Sequence, residues 1–144
     1  MHQKSDPFDL QRFVDAQNTV IDAARAELRA GRKRGHWMWF VFPQIEGLGF
    51  SATADLYAIR SLAEAEAYLK HPVLGERLRE CARLVIGVDG RPIQEIFGYP
   101  DWLKFRSCIT LFAAAAPDDA VFREALEKCC GGEADRLTLD KLST

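Results

Sequence analysis

Gly35-His36-Trp37-Met38-Trp39-Phe40-Val41-Phe42-Pro43-Gln44-Ile45-Glu46-Gly47-Leu48-Gly49-Phe50-Ser51 is the stretch on which the fold class turns. Within it, residues 36–42 are the only serious strand candidate in the chain. Aromatic and β-branched side chains suit a pleated surface, yet the run follows neither a clean alternation nor a clean helical period. With no convincing second strand to pair with, it reads as an irregular, aromatic-rich segment in an otherwise helical protein.

Helical signals surround it. Upstream, Asp6-Pro7-Phe8-Asp9 opens a helix with an acceptor for free amides and a proline where its missing N–H costs nothing. The stripe Leu10, Phe13/Val14, Gln17, Ile21, Ala24, Leu28 keeps steps of three and four, and Gly31 stops it. Downstream, Ser51 caps a short helix through Ile59, and Ser61 to Glu64 has capping-box spacing for another through Lys70. His71-Pro72 breaks the chain. Leu74, Leu78, Cys81 and Val85 then share one helix face, which Gly87 and Asp89-Gly90 end. A short segment from Pro92 to Phe97 leads to Tyr99-Pro100-Asp101, the start of a helix over 101–115 that is apolar on most faces and so expected at the centre. Pro117-Asp118-Asp119 opens a last helix over 118–130, closed by Gly131-Gly132. The expectation is a single all-α domain over 1–144 with about six or seven helices.

The chain has 144 residues, 48% hydrophobic and 28% charged, which is ordinary globular composition. Its net charge of −2 lacks the basic excess of a dedicated nucleic-acid binder, so no nucleic-acid partner is expected. The basic run Arg32-Lys33-Arg34 follows a predicted helix, where cations complement the dipole. No signal peptide and no run of about 18 apolar residues is found, so no membrane partner and a cytoplasmic location are expected. Cys81, Cys108, Cys129 and Cys130 lack Cys-x-x-Cys spacing and read as reduced thiols. With only His2, His36 and His71, no metal site is expected. No P-loop, dinucleotide fingerprint, His-Glu-x-x-His or nucleophile elbow occurs, so no cofactor is expected either.

The density of aromatic, polar and glycine residues over 35–51 exceeds what a turn or core segment needs and marks a candidate pocket wall. Trp37 and Trp39 bring amphipathic rings, Gly47 and Gly49 let a loop approach a ligand, and His36, Gln44 and Ser51 add polar groups. The bland alternative is a buried segment plugging the helices. On the 101–115 helix, Asp101, Lys104 and Ser107/Cys108 project along neighbouring turns, and Lys104 is either paired with Asp101 or held for a ligand. Arg77 lies in a first helical turn, where its charge opposes the dipole and a nearby anion would explain it. Gln17, an amide on an apolar stripe, needs partners in a network or a ligand.

The pattern Gly31-x-Lys33-x-x-His36-Trp37-Met38-Trp39-Phe40-x-Phe42-Pro43-Gln44-x-x-Gly47-Leu48-Gly49-x-Ser51 resembles the uncharacterised bacterial family catalogued as domain of unknown function 1810. The resemblance continues through Tyr57-Ala58-Ile59, Tyr68-Leu69-x-His71-Pro72-x-Leu74-Gly75-x-Arg77-Leu78 and Asp101-x-x-Lys104-Phe105-x-Ser107-Cys108-x-Thr110-Leu111-Phe112, nearly the whole chain. It implies an all-helical, roughly superhelical fold and no established activity. The Asp101-x-x-Lys104-Phe105 stretch is also faintly similar to a helix of a family that cleaves N-glycosidic bonds in ADP-ribose-type compounds.

The leading expectation is a cavity for a small, anionic metabolite, nucleotide- or phosphate-containing, formed by the 36–51 segment, Arg77 and the 101–115 helix. Catalysis there would rest on His36 as acid or base, since histidine titrates near neutrality, with Lys104 and Arg77 stabilising negative charge. Gln17, Lys33, Trp37, Trp39, Gln44, Gly47, Gly49, Ser51, Asp101 and Ser107 complete the candidate ligand set. The alternatives are a non-catalytic adaptor and an N-glycosidase-like enzyme.

Overall fold

The computed structural model describes residues 6–143. In order it contains α1 (Gln11–Asn18), α2 (Ile21–Arg29), α3 (Met38–Val41), α4 (Ala52–Leu56), α5 (Leu62–Lys70), α6 (Leu74–Ile86), α7 (Ile93–Phe97), α8 (Asp101–Ala115), α9 (Ala120–Cys130) and α10 (Arg136–Leu142). No strand occurs among the described residues, and one isolated parallel bridge joins Ile45 to Ile59. The all-α class holds. His2 lies outside the described residues.

Among the described residues the expected six or seven helices become ten for local reasons. The first expected helix is two, because the β-branched pair Thr19-Val20 interrupts it. The Thr19 hydroxyl donates back to the Ala16 carbonyl, and Val20 leaves the helical region at φ −125°. Its stripe survives the break: Leu10, Phe13, Gln17, Ile21, Ala24 and Leu28 are all buried. Residues 36–42, the strand candidate, instead close a helical turn, with Val41 N–H donating to Trp37 and Phe42 N–H to Met38. Burial of Trp37, Met38, Val41 and Phe42 follows helical rather than alternating spacing. The 92–97 segment is the short α7, and α10 adds a helix capped by Asp135, whose carboxylate accepts from Thr138 N–H.

Caps fix most of the other boundaries. Asp6 accepts from the Leu10 and Gln11 amides, Ser51 from Ala54, and Ser61 from Glu64. Glu64 does not close a reciprocal box; it accepts from Arg60 N–H and pairs with Arg12 at 2.9 Å. His71 both breaks the chain and caps α6, its Nδ1 accepting from Val73 and Leu74.

Two helices organise the interior. The α6 helix packs on α2, α5 and α9, and α8 packs on α5, α7, α9 and α10. Gly75 is where α6 meets the end of α5: a Cβ there would stand 2.1 Å from the Leu69 carbonyl oxygen. An aromatic seam joins the layers, with Tyr68 between Phe13 and Phe112 and Phe42 against Phe97 and Phe105. The α8 helix enters this core only at Phe105, so its first turn, Asp101 to Lys104, stays at the boundary with solvent. No described helix is long and apolar enough to cross a membrane.

Candidate functional site

The turn that buries Trp37 and Met38 necessarily directs Trp39 and Phe40 the other way, and these half-buried rings form a wall. Behind Trp39 the chain passes without a side chain: a Cβ on Gly49 would lie 2.7 Å from the indole and 2.5 Å from Ala54 Cβ. The first turn of α8 borders the same space. Together with Lys33, His36 and the start of α4, these elements enclose a cavity of about 380 Å³ bordered by Met38, Phe40, Ser51, Thr53, Asp101 and Lys104 as well as Trp39.

Charge is concentrated at one wall. Asp101 pairs with Lys33 Nζ at 2.8 Å and with Lys104 Nζ at 3.0 Å. Lys33 does not stay on the surface as part of a basic run. Its N–H donates to the Ile96 carbonyl and its ammonium to the Gly35 carbonyl, over the Trp37 ring. Lys104 lies 4.6 Å from the centre of the Trp39 ring. Burial pushes the Asp101 carboxyl up, but hydrogen bonds and attraction from the two lysines more than offset this and hold it below the usual range. Asp101 is therefore an anion held by two cations, the more buried Lys33 and the more exposed Lys104.

Glu27 organises this wall from behind. Its carboxylate accepts from the N–H groups of Arg34 and Gly35 and from Trp37 Nε1, at 2.7, 2.8 and 3.0 Å. Burial raises its pKa and these donors, with Lys33, lower it by more. Sequence reasoning missed Glu27, and one signal was present: a carboxylate in the last turn of a helix opposes the dipole unless something else holds it.

Lys33, His36, Trp39, Ser51, Asp101 and Lys104 thus border one cavity, to which the structure adds Met38, Phe40 and Thr53. The remaining candidates lie elsewhere. Trp37 is core, only 1% exposed, so it cannot stack on a ligand in this cavity. Gln17 is a buried structural amide, donating to the Phe40 carbonyl and the Tyr68 hydroxyl. Gln44 is buried and its backbone carbonyl serves the bridge to Ile59. Gly47 lies against the Lys141 side chain. Ser107 is buried and donates to the Leu103 carbonyl, because beyond its first turn α8 is covered by the core on nearly every face. Arg77, expected at the same cavity, borders a different groove, since α6 faces α2 there.

All four cysteines are free thiols, and burial raises the pKa of each. No group of three or more His, Cys, Asp or Glu side chains suited to a metal occurs among the described residues.

Fold and site together define an all-helical protein with an aromatic-walled, cation-rich cavity at the entry of its central helix. The chain belongs to the family described as a protein of unknown function (DUF1810), which it matches over residues 7–142. It is similar to the conserved hypothetical protein Rv1873 from Mycobacterium tuberculosis, known from a crystal structure at 1.38 Å, with 57% identity, 96% of this chain and 99% of that one covered, and a TM-score of 0.95. No curated protein matches the chain.

Proposed function

We propose that the cavity between α3, α4 and α8 binds a small anionic metabolite of the nucleotide or phosphate-containing class. One observation carries the reading: Lys104, the more exposed of the two ammonium groups on Asp101, borders a concavity walled by Trp39. Lys33 is already committed to Gly35 and Asp101, so Lys104 is the cation that meets the ligand. Trp39 and Phe40 offer apolar surface to its uncharged part, and Ser51 and Thr53 border the same cavity. Turnover would use His36, exposed at the rim, as the acid or base, with Asp101 kept ionised on the same cavity.

Titration with a panel of nucleotides and phosphorylated metabolites, followed by tryptophan fluorescence, tests this. At least one compound should give a saturable change that Trp39→Phe removes and Trp102→Phe keeps. Equal changes in both variants, or none with any compound, would count against the cavity. Product analysis of ADP-ribose-type compounds incubated with the protein tests the N-glycosidase alternative. The adaptor reading draws on Phe50, fully exposed beside the cavity residue Ser51.

A further inference from the structure

Arg77, which the fold sends away from the cavity, stands in surroundings with a chemistry of their own. A groove of about 590 Å³ presents Arg25, Arg77, Arg79 and Arg83 against Glu76 and Glu80. Two of these cations have carboxylate partners: Arg25 Nε donates to Glu80 at 2.8 Å, and Arg79 Nε to Asp119 at 2.7 Å. Arg77 is held differently. Its guanidinium donates to two neutral acceptors, Gln17 Oε1 at 3.3 Å and Asn18 Oδ1 at 3.0 Å, so its position is set by uncharged groups rather than by a carboxylate. Gln17 is itself pinned by the Phe40 carbonyl and the Tyr68 hydroxyl, at 2.7 and 2.9 Å.

This arrangement carries an electrostatic cost. The charge of Arg77 lies in the first turn of α6, where the helix dipole opposes a cation and favours an anion. The two hydrogen bonds leave three of the five guanidinium N–H donors for something else. Arg83 opens on the same groove as a second, exposed fork. Arg77 and Arg83 stand six positions apart on α6, about 9 Å along its axis, and border one groove; guanidinium forks match phosphate oxygens, and the groove has the volume of a small-molecule site.

We propose that this groove is a second anion site, which takes the phosphate or diphosphate group of a small molecule through Arg77 and Arg83. It stands on its own residues and does not depend on the Lys104 cavity. The test is titration of the ¹⁵N-labelled full chain with inorganic diphosphate, followed through backbone amides and arginine Nε–H signals. Saturable shifts are expected at Arg25, Arg77 and Arg83, retained in Lys104→Met, with affinity about tenfold lower in Arg83→Ala. Arg83 is exposed, so that variant keeps the fold. Four results would overturn the proposal: shifts confined to the Lys104 cavity or lost in Lys104→Met; shifts that never saturate; unchanged affinity in Arg83→Ala; or binding of an oligoglutamate peptide with no response to diphosphate.

Discussion

The Lys33 side chain is 8% exposed and donates to both Gly35 and Asp101, whereas that of Lys104 is 23% exposed and shares Asp101 from outside. The two cations therefore differ in what their loss costs. Lys33→Met removes a buried partner of Asp101 and a bond to the backbone and should destabilise the protein by about 1–3 kcal/mol, read from the urea midpoint. Asp101 contributes to the pH dependence, together with Glu27 and Asp6, whose carboxyls are also held below the usual range. The folded-state pKa of Asp101 lies below the ordinary 3.8, so its stabilisation is present above that value and is lost as pH falls through the folded one. Stability should fall below about pH 4, and Asp101→Asn should flatten that part of the curve. At this scale the sequence was partly legible. Asp101 and Lys104 at a three-residue spacing announce their pairing. Nothing local announces that Lys33, 68 residues from Asp101, is its inner partner.

Among the elements, caps and stripes could be read because they are local. The α8 helix occupies Asp101–Ala115, the expected range, and Asp6, Ser51 and Ser61 cap as their positions imply. The break at Thr19-Val20 was hidden because the apolar stripe continues across it, and α3 was hidden because one aromatic turn has too few residues to show a period. Arg77 and Ser107 fell outside the cavity because sequence spacing gives a helix face but not the neighbour it meets. Gly75 marks the tightest element contact. Gly75→Ala would drive a methyl into the Leu69 backbone carbonyl, which cannot rotate away, and should cost about 1–3 kcal/mol or more by thermal unfolding.

Taken as a whole, the described residues bury one continuous cluster running from Leu10 to Ala125, with residues from α1 to α3 and from α5 to α9. A shared core of this kind should unfold as a unit, so far-UV circular dichroism and tryptophan fluorescence should give coincident denaturation curves; two separated transitions would argue for separate units. The candidate site belongs to this scale too. Its side chains come from the segment after α2, from α3, from the start of α4 and from the first turn of α8. Their assembly depends on the packing of α8 into the core, which no single stretch of sequence contains.

The most direct test of the cavity as a ligand site is Lys104→Met, measured for both stability and response to nucleotides and phosphorylated metabolites. Asp101 keeps Lys33 at 2.8 Å when Lys104 is removed, and methionine retains much of the length and apolar area over Trp39. The free variant should therefore be as stable as the parent, or more stable by up to about 1–2 kcal/mol, because ligand sites hold desolvated charges at a cost to folding. A compound that raises the parent's melting temperature through this cavity should lose that effect in the variant. A clear drop in the variant's denaturant midpoint, with no compound distinguishing the two proteins, would make Lys104 a structural strut and contradict the account.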